Sequence, residues 1–98
     1  MSLSDMFMRE KIQAARTGTD RPLNLSGGAR LVVRSLDGVV TLTIARGKGK
    51  KLGDREIITF KEQCGVPENA ARYPAEGQGQ KGDSWYVAYR WKEEGVDQ

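Results

Sequence analysis

The chain has 98 residues, of which 38% are hydrophobic and 30% charged, and carries a formal net charge of +3. That length allows one domain around one small core, burying about 60–65% of the surface the unfolded chain exposes. Histidine is absent and Cys64 is the single cysteine, which excludes an internal disulfide, a thiolate zinc site, an imidazole metal ligand and any Ser-His or Cys-His nucleophile pair.

Residues 2 to 16, SLSDMFMREKIQAAR, read as a helix capped by Ser2 or Ser4, with Asp5 at its positive end. Met8, Ile12 and Ala15 form its apolar stripe with Phe7 at the margin, and Thr17-Gly18 is the stop signal. Residues 17 to 28 read as a connection. The segment 29 to 46, ARLVVRSLDGVVTLTIAR, reads as a hairpin turning at Asp37-Gly38. Folding there sets Leu36 opposite Val39 and Leu31 opposite Ile44. One face then carries Leu31, Val33, Val40, Leu42 and Ile44, and the other Arg30, Val32, Arg34, Thr41 and Thr43.

After the GKGKKLGD connection, REIIT at 55 to 59 reads as a short strand, and Thr59 to Glu62 fits a capping box opening a short helix through Cys64. Pro67 opens a second short helix, PENAARY, closed by Pro74. Residues 84 to 92, SWYVAYRWK, alternate as a strand: Trp85, Val87, Tyr89 and Trp91 on one face, Tyr86, Ala88, Arg90 and Lys92 on the other. The expected fold is α+β, a single small domain over 1–98. It has an N-terminal helix, an antiparallel sheet built on the 29–46 hairpin, short helices near 60–72 and a C-terminal aromatic strand. Residues 1–3 and 93–98 are expected to fray, and 47–54 and 75–83 to be flexible loops.

No apolar run approaches the roughly 20 residues of a membrane helix. The first residues lack the apolar centre of a secretory signal, and Asp5 and Glu10 argue against an organelle-targeting helix, so a cytoplasmic protein is expected. Charge is unevenly spread. From Arg30 to Arg55 there are seven basic residues against Asp37 and Asp54, a surplus of five, so the rest of the chain is slightly acidic.

The loop GKGKK is neither a P-loop nor a dinucleotide fingerprint: Leu52 follows Lys50-Lys51 where a magnesium-binding hydroxyl is needed, and Gly47, Gly49 and Gly53 are wrongly spaced. It reads either as a solvated connector or as a finger for phosphate backbones. The aromatic stripe of 84–92 is assigned to the core, because a domain this small needs that bulk. Its opposite face, with Tyr86 and Arg90, can join Arg30 and Arg34 if the strand lies in the same sheet with matching parity.

The carboxylates are scattered among helix starts and loops and form no acid–base pair, and Cys64 has no base beside it. These residues point to a module without catalytic residues, metal or cofactor. Its expected partner is nucleic acid, single-stranded in preference, held by Arg30, Arg34, Arg46, Lys48, Lys50, Lys51, Tyr86 and Arg90. DNA and RNA are not distinguished. The alternative is a protein–protein adaptor acting through a sheet edge, or a homodimer through Val32, Leu36 and Val39.

Overall fold

A computed structural model describes residues 2–93. It shows an α+β domain whose N-terminal helix and short second helix lie against an antiparallel sheet. No helix among the described residues is long and apolar enough to cross a membrane.

Helix α1 (Leu3–Thr17) starts where Ser2 accepts a hydrogen bond from the Asp5 N–H at 3.1 Å, and stops at Gly18, a left-handed cap. Its roll differs from expectation. Phe7 and Ala14 are buried, with Leu3 and Met6 packed on the core, while Met8 and Ile12 are 47% and 53% exposed. Phe7 is the bulkiest apolar group of the helix and decides which side turns inward. Glu10 with Arg21, and Lys11 with Glu93, pin that roll from the flanks.

Strand β1 (Arg21–Asn24) lies where a connection was expected. Pro22 obscures it in the sequence, yet an edge strand tolerates the missing N–H. Strands β2 (Ala29–Leu36) and β3 (Val39–Arg46) form the hairpin in the expected register, from Leu36 opposite Val39 to Leu31 opposite Ile44. Asp37 and Gly38 both take positive φ, 53° and 77°, as a two-residue type I′ turn demands.

The expected strand at 55–59 is instead part of helix α2 (Asp54–Gln63). Its start is Gly53, whose N–H donates to the Glu56 carboxylate at 3.3 Å, and not Thr59. The isoleucine pair suggests a strand by propensity. The larger pattern is helical: Ile57, Phe60 and Cys64 recur at spacings of three and four and meet the core together, while Ile58 is 54% exposed. The second expected helix is also absent. Residues 67–70 turn, with Ala70 N–H donating to Pro67 C=O at 3.1 Å, and strand β4 (Ala71–Tyr73) follows. The loop expected over 75–83 contains a further short strand, β5 (Gly79–Lys81).

Strand β6 (Ser84–Lys92) ties the sheet together. It pairs with β3 along one side and with β4 and β5 in succession along the other, giving the order β1-β2-β3-β6-β4. Every pairing is antiparallel. The core occupies one face, where Leu31, Ile44 and Val87 form one row and Val33, Leu42 and Tyr89 the next. Trp91 is buried there as well, and Phe7, Leu52, Ile57 and Cys64 cover these rows. Leu3 packs on the core, and Glu93 accepts from Lys11 at 2.8 Å. Met1 and residues 94–98 lie outside the described residues.

Candidate nucleic-acid interface

The sheet's second face has no described element packed on it, and its composition follows from register. In a pleated sheet, residues opposite one another on paired strands share a face. Arg30, Ala45, Tyr86 and Gly79 therefore form one outward row, Val32, Thr43, Ala88 and Tyr73 the next, and Arg34, Thr41, Arg90 and Ala71 a third. Successive rows are about 7 Å apart, and Arg34 and Arg90, two strands apart, are separated by about 10 Å of backbone. Arg30, Arg34 and Arg90 are exposed, whereas Thr41, Thr43, Ala45 and Ala88 are half-buried. Long cations thus stand around a floor of small side chains. The parity needed to unite Arg30, Arg34, Tyr86 and Arg90 is the parity the β3–β6 pairing has.

The strands contain no carboxylate on either face, and their inward positions carry Arg21, Arg46 and Arg72. Outward positions of the six strands carry Arg30, Arg34, Lys81, Arg90 and Lys92, and no carboxylate. Glu10, Glu56 and Glu93 are engaged elsewhere, in ion pairs with Arg21, Arg46 and Lys11. Two acids reach the face from outside the strands, Asp37 and Asp20; Asp37, in the hairpin turn, lines a hollow with Arg34, Thr41 and Arg90. Asp20 accepts from Arg34 through both oxygens, at 2.8 and 3.2 Å. The Arg34 hydrogen bond holds the Asp20 carboxyl below the usual carboxylate range. Among the described residues, Arg30, Arg90 and Lys92 form no ion pair.

Two sequence candidates lie away from this face. Arg46 has the opposite parity, opposite Trp85. Its guanidinium binds the Glu56 carboxylate and the Gly27 carbonyl, with only 20% of the side chain exposed. It braces the end of β3 to α2. Lys51 places its Nζ 4.8 Å from the centre of the Trp85 ring, on the helix side. Cys64 is buried, and burial pushes its thiol up to about 12.

Lys48 and Lys50 remain exposed at the end of the sheet beyond the Arg30 row, beside Gly27 and Gly28. Their loop is held more firmly than its glycines suggest. Gly49 N–H donates to Asp83 C=O at 2.6 Å, and the Gln78 amide bonds both backbone groups of buried Leu52. Lys48 itself is left-handed, at φ 62°.

One outward residue has no counterpart among the candidates read from sequence. Tyr73, from β4, is 66% exposed and its ring faces that of Tyr86 with centroids 6.5 Å apart and planes 25° from parallel. Reading PENAARY as a helix hid it, because only the β4–β6 pairing brings Tyr73 to this face. No family model, curated protein or solved structure matches the chain.

Proposed function

We propose that this chain is a small non-enzymatic module that binds nucleic acid on the open face of its sheet. The observation that carries the reading is the uncovered sheet face with five strand cations at outward positions, Arg30, Arg34, Lys81, Arg90 and Lys92. Arg30 and Arg90 grip phosphates through their guanidinium forks. Arg34 joins them when phosphate replaces Asp20, and Lys48 and Lys50 extend the strip past the sheet's end. Arg46 and Lys51 have structural partners and stand outside the grip.

Binding of this kind is driven by counterion release. With four phosphates neutralised, the slope of log affinity against log salt is about −3 for a single strand, so affinity falls about fiftyfold between about 50 and 200 mM salt. Fluorescence anisotropy with labelled oligonucleotides measures it. Arg30→Ala and Arg90→Ala each flatten the slope by about one unit. No binding at low salt, or binding indifferent to both substitutions together, refutes the proposal.

A protein partner or a homodimer is the second reading, favoured by Leu36, 55% exposed beside half-buried Val39. Sheet-edge pairing contributes little to it, because the edge strands are four and three residues long and one contains Pro22. Light scattering across a concentration series separates this reading from the first.

A further inference from the structure

The two tyrosines of the open face stand outside the core. Tyr73 is two-thirds exposed, and neither its hydroxyl nor that of Tyr86 makes a hydrogen bond among the described residues. The core lies on the other side of the sheet and already contains Tyr89 and Trp91. Yet the pair is built with care. Tyr86 reaches across to β5, and a Cβ on Gly79 would lie 2.4 Å from its Cζ and 2.7 Å from its hydroxyl oxygen. Gly79 has no positive φ, so the glycine serves close approach and not backbone freedom. A side chain at 79 would lift the ring, and its absence lets Tyr86 lie over the neighbouring strand and face Tyr73.

We propose that Tyr73 and Tyr86 form a base-stacking platform, which makes single-stranded nucleic acid the ligand of this face. The inference rests on the phosphate-binding reading above and adds the element that reads bases. A 6.5 Å centroid separation is at the loose end of the aromatic-pair range, so the rings orient each other without consuming each other's π-faces. Arg90 stands one row beyond Tyr73, and Arg30 shares the row of Tyr86 two strands away, so cations flank the pair of rings on the same face. Bases stacked inside a duplex cannot present their faces to such a platform, whereas unpaired bases can. Any base has a π-face, so the platform selects strandedness and not sequence.

The test compares three labelled probes of about 16 nucleotides: a thymidine homopolymer, an abasic strand with the same backbone, and a duplex. The native protein binds the thymidine strand at least about fivefold more tightly than the abasic strand, and more tightly than the duplex. Tyr73→Ala, at an exposed position that folding tolerates, removes most of that gap while leaving abasic-strand affinity in place. Tyr73→Phe restores the gap, and Gly79→Ala narrows it by displacing the Tyr86 ring. Equal affinity for thymidine and abasic strands, or a Tyr73→Ala loss shared by both, overturns the platform and leaves the phosphate grip standing. Failure of all three probes to bind at low salt overturns both.

Discussion

Replacing Arg46 by alanine separates the structural reading of the basic segment from the sequence reading. In sequence, Arg46 is one cation in a cluster; in the fold its Nε and Nη2 meet Glu56 and its Nη1 meets the Gly27 carbonyl, with the two side chains 20% and 25% exposed. Hydrogen bonds to charged partners contribute about 1.5–3 kcal/mol when one side is deleted. Partial exposure reduces this, and Glu56 keeps the Gly53 N–H as a second donor, so a cost of about 1–2 kcal/mol is expected. For a domain of this size that lowers Tm by roughly 4–8 °C per kcal/mol. Urea denaturation followed by tryptophan emission, with the m-value unchanged, measures it. A double-mutant cycle with Glu56→Ala shows coupling of about 0.5 kcal/mol or more, as residues in direct contact do. Oligonucleotide affinity and its salt slope, measured on the folded variant, stay at native values. Full stability together with a flattened salt slope would refute the assignment and return Arg46 to the binding face.

Ile57→Ala costs about 2–5 kcal/mol, because Ile57 is buried under α2, whereas exposed Ile58→Ala stays within about 0.5 kcal/mol. The reverse order in chemical denaturation would mean that residues 55–59 do not form this helix. Burial raises the Cys64 thiol from 9.0 to about 12, so at about pH 8 its native thiolate population is about a thousandfold below that of the unfolded chain. Thiol-labelling kinetics with and without urea read that ratio, and a native rate near the unfolded one refutes it. The contribution of that thiol to stability is fully present below about pH 9 and is lost as pH rises through about 12. Asp20→Asn frees Arg34 and raises nucleic-acid affinity at low salt by a few-fold, with a steeper salt slope. An unchanged slope removes Arg34 from the grip. The Asp20 carboxyl is held below its usual range, so that pair stays charged above the unfolded carboxylate value near about 4, and its stabilisation is lost only as pH falls through the lowered folded value.

The hairpin was legible because two independent signals agree on it. Asp37-Gly38 selects the turn, and the alternation on both strands then allows one register that gathers Leu31, Val33, Leu42 and Ile44. The aromatic strand was legible for the same reason, with Val87, Tyr89 and Trp91 buried as expected and Trp85 half-buried. Where the reading failed, local preference and tertiary context disagree. The adjacent isoleucines of REIIT favour a strand, but only a helix brings Ile57, Phe60 and Cys64 onto the sheet together. Short edge strands β1, β4 and β5 contain too few residues to show a period, and each exists because a longer neighbour supplies its hydrogen bonds. The same limit governs the site. The shared face of Arg30, Arg34, Tyr86 and Arg90 follows from the period once β6 is known to pair with β3. Tyr73 depends on a three-residue strand that has no signal of its own.

That distribution of charge has a physical consequence that net charge conceals. A surplus of +3 spread evenly over this surface would produce a weak field at every point. Here three glutamates are committed to ion pairs that fasten α1, α2 and the end of β6 around the core. Those acids neutralise Arg21, Arg46 and Lys11, and among the described residues Arg30, Arg90 and Lys92 form no ion pair, although Asp37 lies beside Arg90. The open face therefore has a field stronger than the total suggests, and its arginines remain hydrated and available at no cost to the core. On the proposed reading, substitution at exposed Arg30 or Arg90 changes ligand affinity without loss of stability. That independence of binding from folding is the behaviour the Arg46 and Arg90 variants contrast directly.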